Sequence, residues 1–361
     1  MTSATINWWK TEFGEEEIER VVCAIRSGNM SQGEITQQFE HAIGEYLEVP
    51  HVVATSSGTT ALMLALMAVG IKPGDEVIVP NRTWIATAHA PLLLGAKIVL
   101  ADVELTRPVI DCQSLSELLS ENTKAIIPTH LNGRAADISQ IKQIIGSRKI
   151  AVIEDAAQAI GSRNLNGLLG TQSNIGCFSL SVAKTFGVGQ GGFAITKDVD
   201  LASRLRAMRT HGVENVKDPQ KWEMPGLNFR FTDIAASIGI VQLGKLKSRL
   251  QRALQIYGWY RSELSCCNGI SEIPLQQEVG EVPLYNEFLC ENRSDMIKKL
   301  LENGIDSRPA YPDLHTATYL TQPHREFPNS KKFCQEGLFL PSGPDQTDQD
   351  ISRVIDVIKQ F

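Results

Sequence analysis

Between residues 52 and 160 the apolar positions alternate between two patterns. The runs VVAT (52–55), VIVP (77–80), AKIVLADV (96–103), KAIIPTH (124–130) and KIAVIED (149–155) are short and nearly continuous, with no polar face. Such runs predict strands buried on both sides. Between them, ALMLALMAVG (61–70), TWIATAHAPLLLG (83–95), Ser114–Leu119 and Ile138–Ile145 predict helices. Strands of this kind separated by helices specify an α/β fold with a mostly parallel sheet covered on both faces. In such sheets ligands collect beyond the carboxyl ends of the strands. The residues that follow each strand are therefore the informative ones.

Two amphipathic helices precede this region. Ile18, Val21, Val22 and Ile25 mark one over Glu15–Ser27, and Ile35, Phe39, Ile43 and Leu47 another over Gln32–Leu47. Beyond it, FAIT (193–196) predicts a strand, Val199–Met208 a helix, and Thr210–Met224 a polar loop near the site. A long helix of mixed charge is expected from Thr232 through LGKLKSRLQRALQIYGWYRSEL, connecting two domains. Shorter strands and helices follow: PLYNEFLC, DMIKKLLENG and Asp348–Gln360. The expected division is residues 1–245 as a large domain and 246–361 as a smaller α+β domain.

The 361 residues suffice for two domains, and 42% apolar content, 21% charged content and a net charge of −6 describe an ordinary globular chain. No basic face is available for a nucleic-acid backbone. The start of the chain lacks the charge and apolar run of a leader, and the longest apolar run, Ala61–Ile71, is too short for a membrane span. A cytoplasmic protein that binds neither nucleic acid nor membrane is expected. Seven cysteines without a C-x-x-C pair read as buried small hydrophobes in a reducing compartment, and the scattered histidines predict no metal site.

Four strand ends carry candidate chemistry. Ser56-Ser57-Gly58-Thr59-Thr60 opens a helix after VVAT, where free N–H groups suit a phosphate, although a plain serine or threonine N-cap has the same sequence. Trp84 follows VIVP, as a ring-stacking plate or as core. His130 follows KAIIPT, where a lone histidine is more often structural. Asp155 ends KIAVIED among alanines, and a carboxylate there needs a cationic partner. Lys184 lies 29 residues beyond Asp155, in CFSLSVAKTFGVGQGGFAIT (177–196). Gly187, Gly189 and Gly192 match G-x-G-x-x-G, yet they lead into a strand rather than a helix, contrary to a dinucleotide site. A phosphate turn, an aromatic plate, a buried aspartate and a lysine are together the fittings for pyridoxal 5′-phosphate (PLP). The lysine would carry it as a Schiff base and the aspartate would hold its ring nitrogen protonated.

The chain resembles the sugar aminotransferases of the DegT/DnrJ/StrS type. The likeness runs through SQGEITQQFEHAIGEYL, SSGTTALMLALMAVGIKPGDEVIVP, VIEDAAQAIGS, GLNFRFTDIAASIGIVQL and FCQEGLFLPSGPDQTDQDISRVIDVIKQF. This resemblance implies a fold-type I, aspartate aminotransferase-like large domain with a mostly parallel seven-stranded sheet. It implies catalytic roles for Lys184 and Asp155, and PLP contacts from Ser57, Gly58, Thr59, Trp84, Gln158, Ser179 and Asn228, the last reaching a neighbouring subunit. Arg230 matches an arginine for the amino donor's carboxylate, and Tyr311 and His315 fall in a substrate-side loop. L-glutamate as donor, a keto sugar as acceptor, a homodimer with shared sites and a role in amino-sugar, surface-polysaccharide or lipopolysaccharide biosynthesis follow from the same likeness.

Some relatives replace the lysine by histidine and act as dehydratases; Lys184 argues against that branch, which stays the alternative. Val182 and Ala183 stand where the family has proline and threonine or serine, Gln190 where it often has an acid, and the loop His130–Ala135 lacks the usual aromatic and proline. These departures bear on the sugar. Arg82, Arg134, Arg308 and Arg325 are cations for a nucleotide diphosphate or for the carboxylate of an oxidised octulosonate-type acid. His130 is a further candidate for the substrate side.

Overall fold

A computed structural model describes residues 5–213, 215, 221–222, 224–320 and 325–361. Two helices, α1 (Glu15–Arg26) and α2 (Glu34–Leu47), lead into β1 (His51–Thr55), α3 (Gly58–Ala68), β2 (Glu76–Pro80), α4 (Ala86–Leu93), β3 (Lys97–Ala101), α5 (Cys112–Leu118) and β4 (Thr123–Ile126). Then come α6 (Ile138–Ile145), β5 (Ala151–Asp155), a small hairpin β6 (Arg163–Asn164) and β7 (Gly167–Leu168), β8 (Ile175–Ser179), β9 (Gly192–Thr196) and α7 (Val199–Arg209). Seven strands form one sheet in the order β1-β9-β8-β5-β4-β2-β3. The run from β8 to β3 is parallel, and β9 lies antiparallel between β8 and β1. This is the mostly parallel, two-sided sheet that the apolar runs predict. Its strands are buried because α3, α4 and α7 pack around one core, including Val53, Leu64, Val79 and Ile153, while α5 and α6 pack around another, including Ile78, Ile126 and Val152.

The second half continues with α8 (Asp233–Gly244), α9 (Leu246–Leu264), β10 (Ile270–Glu272), β11 (Asn286–Cys290), α10 (Arg293–Glu302), β12 (Arg308–Pro309), α11 (Pro328–Glu336), β13 (Gly337–Leu340) and α12 (Asp348–Lys359). Strands β10-β11-β13-β12 make a separate antiparallel sheet backed by α9, α10 and α12.

Three expectations need correction. The long connecting helix is two helices, α8 and α9, broken at Gly244-Lys245; glycine is a poor helix former, and the Lys245 amine is drawn 2.8 Å from the buried Glu17 carboxylate. The chain's start does not stay with the first half: Ile6 bridges Ile305 and lies in the core of the second sheet, and Trp9 bridges Ser342. The cysteines are all free, but Cys23 and Cys266 are exposed rather than buried. Much of the Thr210–Met224 loop lies outside the described residues. Among the described residues no helix is long and apolar enough to cross a membrane, and no His, Cys, Asp and Glu group could hold a metal.

Candidate active site

The carboxyl ends of β1, β2, β5 and β8 open into a cavity of about 740 Å³, closed on its far side by residues of the second sheet and by the chain's start. The turn after β1 supplies its base. Ser57 is the N-cap of α3: its hydroxyl accepts from the Thr60 N–H at 3.1 Å, and Thr60 Oγ1 accepts from the Ser57 N–H at 2.9 Å. This reciprocal cap leaves the N–H groups of Gly58 and Thr59, in the first turn, without an intrahelical partner, at the positive end of the helix dipole. Here the plain N-cap and the anion cradle are both true. A Cβ at Gly58 would lie 2.8 Å from that of Ser179, and one at Gly192 would lie 2.4 Å from the Ser57 carbonyl carbon. The sequence therefore needs glycine at both positions to bring β8 and β9 against the turn.

Asp155, at the end of β5, is 4% exposed. Its Oδ2 accepts from Thr87 Oγ1 at 2.7 Å and its Oδ1 from the Ala157 N–H at 3.1 Å. Burial pushes this carboxyl up, against those two donors and the field of Lys184. Among the described residues it has no ion-pair partner. Lys184 hangs over the same cavity, and desolvation lowers its amine to about 8 even though Asp155 pulls the other way. Thr129, also lining the cavity, has a buried hydroxyl without a partner. The cavity thus holds an unpaired carboxyl, a depressed amine, an orphaned hydroxyl and a glycine-cradled helix start. These fit the ring nitrogen, aldehyde and phosphate of PLP.

Trp84 lines the cavity, 55% exposed, with Tyr311 edge-on at 5.3 Å. Gln158 lines it too; its Oε1 accepts from the Asn132 N–H at 3.0 Å, and its Nε2 lies 3.4 Å from the Tyr311 hydroxyl. Ser179, Arg308 and Gln190 are on the same walls, Arg308 with its guanidinium 4.3 Å above the Trp8 ring. Asn228 and Arg230 lie outside this cavity. They pair with each other at 2.9 Å, on a segment laid against Thr55 and Thr210 at the sheet's edge.

Five residues expected on the substrate side do not line this cavity. Arg82 is fully buried: it donates to the Tyr311 carbonyl at 2.6 Å and faces Asp313 and Glu287 at 3.5 Å each. Arg134 is equally buried, 3.3 Å from the same Glu287 and bound to the carbonyls of Ile273 and Pro274. Both tie the first sheet's loops to β11 and are spent on structure. His130 lies behind Asp155, its Nε2 2.8 Å from Glu154 and its Nδ1 accepting from the Ala136 N–H. His315 is held by Asn81 and stacked on Phe327. Neither histidine lines the cavity. Arg325 sits beside Ser114 and Glu117, away from it as well.

Sequence reading missed Thr87, Thr129, Trp8, Tyr285 and Arg293, all of which line the cavity. Thr87 carried a weak signal, one helical turn beyond Trp84. The others come from segments whose place was set by the fold alone.

A lysine and an aspartate at the carboxyl edge of such a sheet, facing a glycine-cradled helix start, define a PLP enzyme of the aminotransferase fold. Residues 11–359 match the model of the DegT/DnrJ/EryC1/StrS aminotransferase family, and the chain belongs to that family. It is 33% identical over 357 residues to GDP-perosamine synthase of Caulobacter vibrioides, covering 96% of this chain and 95% of that protein. Among solved structures it superposes on S. venezuelae DesV in complex with a ketimine intermediate with a TM-score of 0.91 at 30% identity, covering 96% and 94% of the two chains. A DegT/DnrJ/EryC1/StrS aminotransferase from Brucella abortus gives 0.89 at 30% identity over 96% and 95%. The protein is a PLP-dependent sugar aminotransferase.

Proposed function

We propose that this enzyme moves the amino group of L-glutamate to a nucleotide-linked keto sugar, as a cytoplasmic homodimer, for amino sugars of a surface polysaccharide such as lipopolysaccharide. The observation that carries the transfer chemistry is the pairing of a depressed amine, Lys184, with a buried carboxyl, Asp155, across one cavity. When bound, PLP supplies the electron sink that lets a carbon–hydrogen bond next to an amine break. Ser57, Gly58, Thr59, Ser179, Trp84 and Gln158 line the cavity and would hold it, the first four at its phosphate, Trp84 at its ring and Gln158 at its phenolic oxygen. Asp155 would keep the ring nitrogen protonated, a task suited to a carboxyl with only two neutral donors. Lys184 Nζ, lowered to about 8 by burial, gives up its proton more readily than an ordinary lysine and would be the base that takes the proton from the donor's α-carbon.

The relative named for a GDP-linked product favours a nucleotide-linked acceptor over an unactivated sugar acid. With Arg82 and Arg134 used in the fold, Arg308 and Arg293 are the arginines that line the cavity. The position of Asn228 and Arg230 outside their own cavity supports a shared site, in which each subunit reaches into the other with these two residues. Tyr311 joins the substrate wall. The test is a single-turnover reaction with L-glutamate alone: 2-oxoglutarate release without any sugar, followed by amine transfer when a GDP-linked or other nucleotide-linked keto sugar is added. Glutamate-independent loss of water from the sugar would instead establish the dehydratase.

A further inference from the structure

The loop that carries Lys184 is held from outside the first sheet. The Trp9 indole N–H is shared between Thr11 Oγ1 at 2.6 Å and the Val182 carbonyl at 3.1 Å, and the Tyr285 hydroxyl donates to the Ala183 carbonyl at 3.0 Å. These are the two peptide groups directly before the lysine. Tyr285 is 4% exposed, its ring lies 5.9 Å from Lys184 Nζ, and it is wedged between Trp8 at 5.1 Å, Trp9 at 5.6 Å and Phe339 at 5.3 Å. Its own backbone is fixed reciprocally by one side chain: Asn132 Nδ2 donates to the Tyr285 carbonyl at 2.8 Å and Asn132 Oδ1 accepts from the Tyr285 N–H at 2.6 Å. The Asn132 N–H in turn donates to Gln158.

The segment just before Lys184 and the loop at 130–135 are therefore joined through one tyrosine. Asn132 adopts a left-handed backbone, φ 54°, which asparagine tolerates better than other side-chain-bearing residues and which lets it reach Tyr285. Trp8 and Trp9 are themselves stitched to the second sheet, by the Ser342 N–H to the Trp8 carbonyl at 2.7 Å and by the bridge at Trp9.

We propose that Tyr285, seconded by Trp9, is a positioning residue for Lys184. It clamps the peptide groups before the lysine to the second sheet and covers the amine with its ring, so that the position and dryness of the amine depend on the second sheet and the chain's start. Asp155 and Tyr285 are the titratable groups facing this amine.

The test compares Tyr285→Phe and Trp9→Phe with Tyr260→Phe. Tyr260 is also buried and also donates to a carbonyl, that of Pro341 at 3.2 Å, but it lies in the core of the second sheet. The two tyrosine variants lose one carbonyl hydrogen bond each and shed similar stability, while Trp9→Phe loses an N–H shared by Thr11 and Val182. In the full-length holoenzyme, Tyr285→Phe and Trp9→Phe are expected to speed hydrogen exchange of amides 181–187 about fivefold, the factor for one lost net hydrogen bond, and Tyr260→Phe to leave it unchanged. In full-length protein stripped of PLP, the pH midpoint for labelling Lys184 with a small amine reagent, read by mass spectrometry, shifts upward from about 8 in Tyr285→Phe and stays in Tyr260→Phe. Turnover falls about fivefold in kcat with KM unchanged. Exchange and labelling that match wild type in both Tyr285→Phe and Trp9→Phe, or that change as much in Tyr260→Phe, overturn the role. Exchange and labelling do not depend on the sugar, so a failure of the aminotransferase assignment is told apart from a failure of the clamp; only the kinetic arm rests on that assignment.

Discussion

Two buried carboxylates, Asp155 and Glu287, show how one fold separates chemistry from structure. Glu287 lies between the guanidinium groups of Arg82 and Arg134 at 3.5 and 3.3 Å, with protein closed around it. Asp155 is nearly as buried but has only a threonine hydroxyl and one N–H, and it faces an open cavity with a lysine across it. The paired carboxylate serves to join the two sheets. The unpaired one is held above its usual range, and the ring nitrogen of PLP would be its cationic partner.

Removing the groups one at a time sharpens this contrast. The largest effect is expected from Lys184→Ala, which should abolish both amine transfer and the visible absorption of lysine-bound PLP; a persisting band would mean that another lysine holds the cofactor. Glu287→Gln should leave Arg134 without its carboxylate and Arg82 with Asp313 alone, and lower unfolding free energy by about 3–5 kcal/mol in a denaturant titration. Asp155→Asn, in contrast, should fold with little loss of stability and bind PLP, while kcat drops about 10²–10³-fold. If Asp155→Asn destabilises as much as Glu287→Gln, the contrast between the two carboxylates fails.

Smaller effects test the surroundings of the site. Thr87→Val removes one donor to Asp155 and should cost about fivefold in kcat with KM unchanged, as steady-state kinetics would show. The last effect is one of pH. The Lys184 amine is lowered to about 8 from 10.5, so the unfolded chain binds more protons across that window. In PLP-free protein, stability relative to Lys184→Met should therefore rise as pH goes from about 8 to about 10.5, and a flat difference in parallel melting curves would contradict the buried amine.

The α/β layout and most of the cofactor wall were legible in the sequence, because both follow from local rules. Apolar runs without a polar face had to be buried strands, and the residues just after them, Ser57, Trp84 and Asp155, had to meet at one edge of the sheet. Lys184 was legible through its glycines and its place beyond Asp155. The arginines were not. A single Arg82 or Arg134 has the same sequence signature whether it meets a substrate or Glu287, which is 205 or 153 residues away along the chain. Likewise the interruption at Gly244-Lys245 depended on Glu17, far upstream.

The sequence by itself thus determined the sheet and the cofactor, and it marked Asp155 and Lys184 as the candidate reacting groups, since periodicity and strand-end chemistry are properties of short segments. Only the tertiary structure decided which charges are spent and which are free, and it brought Trp8, Trp9 and Tyr285 over Lys184. Contacts of that kind depend on where distant segments pack, and no local pattern encodes them.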